Sequence, residues 1–275
     1  MPASTSGLFT ADSVTWAVHA DPAMWVAGVR ALYLQALHPR VVRGVMQHSH
    51  FRQDPLGRLY RTARFVKITT YASADSARRL AARVRRIHAT LQAVDPASGR
   101  SYPLDEPDLL RWVHCAATVS YVDVVRRAGL RLTDEEVDRY VDEQRLSAQL
   151  VGLDPQTVPG DRAALEQYFD EVRPELAASP DAEDIYTFLT DPPMPPQFTR
   201  LFSPFGRLGS TAYSLGSRHG WRRLSRVAYS ALPAWAVDLY GHESYSNTAT
   251  TTALRVLRDS ARLVPKGVRA RLVSG

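Results

Sequence analysis

The stretch "DLLRWVHCAATVSYVDVVRRA" runs from Asp108 to Ala128, and its period decides the fold class. Leu110, His114, Ala117 and Tyr121 recur at i, i+4, i+7 and i+11, the spacing of one face of an α-helix. Asp105 and Pro107 supply the chemistry of a helix start, and Gly129 that of a stop. The same punctuation repeats on both sides. Toward the N-terminus, Asp21 and Pro22 precede "AMWVAGVRALYLQAL", and Pro39 breaks or restarts that helix. Asp54 and Pro55 open "LGRLYRTARFVKITTYA", and Ser73 or Asp75 starts a further helix reaching about Leu91. Toward the C-terminus, Thr133 and Glu136 have the spacing of a capping box ahead of "DEEVDRYVDEQRLSAQLV". More helices are expected at about 161–178, 181–190, 196–217, 220–240 and 246–262, with kinks or splits at Pro174, Pro204 and Pro233. The clearest linker is "DPPMPPQ" (191–197), but the segments on either side are alike in composition. No strand-like alternation persists. The expectation is an all-α chain forming a single helical domain over 1–275, with ten or so helices.

Composition narrows the class. The chain has 275 residues, 45% of them hydrophobic and 23% charged, as in ordinary soluble globular proteins. The net charge is +6, carried almost wholly by arginine, since Lys67 and Lys266 are the only lysines. These cations do not gather into a basic tail, so no nucleic-acid partner is expected. Cys115 is the single cysteine, which excludes an internal disulfide and a cysteine zinc site. The N-terminal stretch lacks a basic start followed by an apolar run, and no segment approaches the roughly 18–20 apolar residues of a membrane span. The expected location is cytoplasmic, with membrane contact at most peripheral, for instance through "ALPAWAVDLYG" (231–241).

The helix before the opening stretch carries "RVRRIHATLQ" (83–92), where three arginines surround His88. Ala77, Leu80, Ala81, Val84, Ile87 and Leu91 form its apolar stripe, and His88 lies on or beside that stripe. Arg79, Arg83 and Arg86 share another face and belong in solvent. An inward His88 is disfavoured as imidazolium, and a neutral imidazole can ligate a metal or haem iron. One helix earlier, Arg58, Thr62, Phe65 and Thr69 form a stripe of cation, hydroxyl and aromatic side chains, with Arg61 beside it. That stripe reads either as a solvated polar face or as a pocket wall with donors. His114 points inward on its own helix, and taken alone is a core histidine. His48 and His50 fall at a helix end where they diverge, and His242 stands beside Glu243 in a turn. No phosphate loop, HExxH or GxSxG occurs.

Taken together, "ALYLQALHPRVV", "HSHFRQDPLGRLYRTARFV", "RIHATL" and "LLRWVH", in that order, resemble the latex-clearing protein (rubber oxygenase) and MpaB-type oxygenase family. The resemblance covers roughly residues 12–250, leaving 251–275 as a C-terminal helix and tail. It implies a globin-like helical core holding haem b. It implies His88 as the proximal iron ligand and Arg58 and Thr62 on the dioxygen side. Phe65 and His114 join the cofactor pocket, and Arg58, Arg61 and Thr62 are the catalytic candidates. Arg61 stands where the rubber oxygenases carry a lysine, and no glutamate precedes Tyr102 to act as the family's distal base. Gln47 and His48 are the candidates to replace it. The expected activity is a haem-dependent oxygenase acting on a small, fairly apolar molecule with dioxygen, with a redox partner left open. The alternatives are a haem sensor or carrier, and a cofactor-free helical interaction protein.

Overall fold

Local side-chain chemistry starts most of the helices. The structure, a computed structural model, describes residues 7–48, 55–95, 98–192 and 210–263, with the backbone alone at 55–59, 210–217 and 261–263. Ser13 Oγ accepts from the Trp16 amide to begin α1 (Val14–His19). Asp21 does not cap a helix at Pro22. Its carboxylate instead accepts from the Ala23 amide and from Arg258, and α2 (Met24–Ala36) begins two residues later than expected. Pro39 restarts the chain as α3 (Pro39–His48), and Pro55 opens α4 (Pro55–Tyr71). Ser73 caps α5 (Ala74–His88), which ends on His88 itself, short of Leu91.

The chain then forms a feature that residue periodicity did not suggest. A two-stranded antiparallel hairpin pairs β1 (Gln92–Val94) with β2 (Ser101–Pro103), Ala93 facing Tyr102. Strands of three residues are too short to show alternation. Next come α6 (Pro107–Arg127) and α7 (Asp134–Val151). Gly129 at φ 102° ends the first of these, and Thr133 and Glu136 make both bonds of the capping box for the second. Then follow α8 (Arg162–Val172), a 3₁₀ turn at Arg173–Glu175, and α9 (Pro180–Thr190). The last three are α10 (Ser210–Ser230), α11 (Ala234–Tyr240) and α12 (Asn247–Leu263). The expected break near 217–220 is absent, whereas Pro233 does separate α10 from α11. Pro204 and most of the linker at 191–197 lie outside the described residues. The chain is all-α, with twelve helices among the described residues and only the small hairpin as sheet.

Two helices form the centre. Along α2, Val26, Ala27, Val29, Ala31, Tyr33, Leu34 and Ala36 are all buried, and α6 buries Trp112, Cys115, Ala116, Val124 and Val125. A helix apolar on nearly all sides belongs inside a domain. Each large side chain fully removed from water contributes about 1.5–3 kcal/mol. α10 packs on α2 from the far side. Arg30, 3% exposed, is held within this centre by Ser120 Oγ at 2.8 Å, the Ala231 carbonyl at 2.9 Å and Asp123 at 3.2 Å. The α4–α5 pair leans against α7, with Ala77 and Ala81 small enough to let Phe65 and Leu150 close in.

Candidate active site

Ending α5 at His88 has a direct consequence. The imidazole sits at the wall of a cavity of about 570 Å³ between α3, α4, α5, α6 and α9. Cavities that enclose small ligands run from roughly 300 to 1,000 Å³. From α4, Arg61, Thr62 and Phe65 face the same space. Their i, i+1, i+4 spacing puts them on one side of the helix. His88 is half-buried, Arg61 and Thr62 are exposed, and the cavity therefore opens to solvent along α4.

The remaining wall is mostly aliphatic. α3 contributes Val41, Val42, Gly44 and Val45, and α6 contributes Leu109, Leu110 and Val113. Ile185, Phe188 and Leu189 of α9 and Trp221 of α10 close the far side. The Trp221 indole is fixed there by donating from Nε1 to the Leu189 carbonyl at 2.8 Å. The polar lining consists of Gln35, His48, Arg61, Thr62 and His88, with no carboxylate among the described residues. The site is thus an apolar chamber with two imidazoles, one carboxamide, one hydroxyl and one guanidinium. Proton acceptance within it falls to imidazole, and anion binding to Arg61.

His48 is the last residue of α3 and lies 2.6 Å from the Gln92 carbonyl through Nε2. A carbonyl only accepts, so Nε2 carries the proton. Gln47 is occupied with the Val94 backbone through both ends of its amide, accepting at 2.9 Å and donating at 3.4 Å. His50 lies outside the described residues, and so does the side chain of Arg58, whose backbone sits one helical turn before Thr62 on α4.

Several side chains differ from the sequence expectation. His114 does face inward, and desolvation lowers its pKa to about 4, but it is not among the residues lining this cavity. Ile87, placed on the apolar stripe of α5, is 49% exposed, because α5 ends one residue later and its last turn stands clear of the core. His242 does not pair with its neighbour Glu243. Its ring stacks on Tyr186 with centroids 3.8 Å apart, and Nε2 is 2.8 Å from Glu183.

A further histidine escaped the sequence reading. His19 of α1 is 2.7 Å from Thr70 Oγ1 of α4 and 3.3 Å from the Tyr140 hydroxyl of α7. Thr70 donates its own proton to the Val66 carbonyl, so it accepts from His19 Nδ1–H, and Nε2 accepts from Tyr140. With no room for a second ring proton, and with burial opposing charge, the pKa falls to about 3. Nothing near "TWAVHADP" marks this partnership, since Thr70 and Tyr140 are 51 and 121 residues away.

Among the described residues, no three His, Cys, Asp or Glu side chains gather closely enough to hold a metal ion by themselves. No described helix is long and apolar enough to cross a membrane. No curated protein and no solved structure matches the chain. A family model described as the ER-bound oxygenase mpaB/B′ and rubber oxygenase catalytic domain matches residues 16–264. That span takes in every helix from the end of α1 to α12, and with it the whole cavity wall. The chain therefore belongs to the mpaB/rubber oxygenase catalytic-domain family, a family of oxygenases.

Proposed function

We propose that this protein is a haem b-dependent oxygenase that acts with dioxygen on a small, fairly apolar molecule. One observation carries the reading. His88 from α5 and Arg61, Thr62 and Phe65 from α4 meet in one cavity whose other walls are aliphatic and aromatic. The donor set fits a haem. A tetrapyrrole brings four nitrogen donors of its own, so a single imidazole suffices where a bare ion would need several protein ligands. Apolar walls suit the macrocycle, and an exposed guanidinium at the open end suits its carboxylates.

A bound haem would supply redox-active iron for chemistry with dioxygen. The chain supplies the rest. His88 would hold the cofactor through its imidazole. Arg61 and the Thr62 hydroxyl would donate hydrogen bonds to negative charge on the α4 side, the role the family resemblance also gives Arg58. Arginine stays protonated, so Arg61 serves as a donor rather than as a base. The valines, leucines and phenylalanines exclude water and favour a substrate with little polar surface. With no carboxylate in the described wall, His48 is the proton acceptor within reach of the chamber.

Haem loading tests this directly. The purified protein, supplied with haemin, is expected to show a Soret band and a pyridine haemochromogen signal, and to consume oxygen with an apolar substrate. His88→Ala is expected to lose the haem, and His114→Leu to keep it. A folded His88→Ala protein with normal haem content and spectrum would overturn the ligand assignment. Haem loss confined to His114→Leu would move the assignment to that histidine.

A further inference from the structure

The α4–α5 pair is strongly cationic. Residues 55–88 contain nine cations and a single acid, Asp75, in a chain whose net charge is +6. That local surplus of eight exceeds the total, so the rest of the protein is slightly acidic. The fold turns outward the eight whose side chains are described. Arg64 on α4 and Arg79, Arg83 and Arg86 on α5 are exposed, while Ala77 and Ala81 face inward. The two helices pack side by side, which keeps these cations on two neighbouring elements. On α4 the open end of the cavity lies within a turn of Arg64, since Arg61 and Thr62 both line it and are exposed.

Two aliphatic side chains near cavity residues in the chain are not claimed by the core. Ile87 is 49% exposed and precedes the cavity residue His88. Val94 is 44% exposed, three residues after the cavity residue Leu91, and its amide is bonded to Gln47 next to His48. A cationic face with bulky aliphatic residues is the chemistry of a bilayer interface. Arginine stems add apolar contact below their charged heads. Single-stranded nucleic acid would ask for exposed aromatic rings on which bases stack, and Tyr60, Phe65 and Tyr71 of α4 are all at least partly covered.

We propose that the α4–α5 face docks this protein on an anionic lipid bilayer, with the cavity mouth turned toward the lipid. The contact is peripheral, in keeping with the absence of a membrane-spanning helix among the described residues. It gives an apolar ligand a route from the bilayer into the chamber without crossing water. Docking does not require the haem, so its test is separate from that of the cofactor.

Each cation near such a surface raises partitioning by about fivefold, within a screening length of about 8 Å at physiological salt. The test is co-sedimentation of the full chain with vesicles of phosphatidylcholine alone or mixed with phosphatidylglycerol. Binding is expected to the mixed vesicles only, and to weaken as salt rises. The triple variant Arg79→Glu, Arg83→Glu, Arg86→Glu is expected to bind more than a hundredfold less tightly, with an unchanged circular dichroism spectrum. Ile87→Trp is expected to add a blue-shifted emission component on the mixed vesicles. Equal binding by the triple variant, no binding to anionic vesicles at low salt, or an added tryptophan component that stays water-like would each overturn the proposal. So would tighter binding to duplex DNA or to an acidic protein of matched charge than to the vesicles.

Discussion

Lowering the pH should destabilise this protein well before its carboxylates titrate, because two histidines are folded in their neutral form. His19 has its pKa lowered to about 3 and His114 to about 4, both by desolvation. The ordinary value, which the unfolded chain regains, is about 6.5. Above 6.5 both states are neutral and the histidines do not affect stability through protonation. As pH falls below 6.5 the unfolded chain binds a proton at each site and the folded chain does not, so stability drops. Each such proton gives a slope of about 1.4 kcal/mol per pH unit, and two give about 2.7. Between about pH 6.5 and pH 5 the pair therefore costs about 3–4 kcal/mol, out of a total that for a typical domain is about 5–15. His38 is shifted the same way by desolvation and adds to the slope. The assay is urea unfolding across this window, at one fixed cofactor load. A double variant, His19→Gln with His114→Leu, is expected to lose about two protons' worth of slope, whatever its stability at neutral pH. A double variant with the parent's slope would refute the claim that these rings are neutral in the fold.

Three further outcomes follow from particular contacts. A methyl group at Gly44 would sit 2.6 Å from Leu104 Cδ2, and both residues line the cavity. Gly44→Ala should push that leucine inward and weaken haem or substrate uptake in titrations, at a stability cost of about 1–3 kcal/mol. Unchanged uptake would mean that Leu104 swings elsewhere. Arg258 and Asp21 form an ion pair at 2.7 Å with both side chains almost completely buried. Arg258→Ala should cost about 3–5 kcal/mol in chemical denaturation, because a buried carboxylate is left uncompensated. A loss below about 1 kcal/mol would show that the carboxylate is not stranded. Cys115 is buried, and desolvation pushes its thiol pKa up to about 12. A thiol reagent should label it only at the rate of global unfolding, and rapid labelling of folded protein would contradict that burial.

Helix positions were legible in the sequence because their causes are local. A capping box, a proline at a first turn or a stripe at i, i+4, i+7 involves residues within a few positions of one another. Thr133 with Glu136, Ser73, Pro39 and Pro233 therefore act as their spacing suggests. The stripe of Arg58, Thr62 and Phe65 and the inward His88 one helix later were legible for the same reason, and the two helices that carry them are neighbours in the fold. What lies across a gap was not legible. Phe188, Leu189 and Trp221 complete a wall begun more than a hundred residues earlier, and nothing in their own segments marks them as cavity residues. His242 chose Glu183 over the adjacent Glu243 because side chains meet through packing, not through sequence order. Ile87 satisfies the apolar stripe yet stands in solvent, since a stripe fixes direction around the helix axis but not whether anything packs there. Local backbone chemistry thus decided where the helices are and which side chains they carry. Only tertiary packing decided which of those side chains share a cavity, which are buried in neutral form elsewhere in the fold, and which are left facing outward.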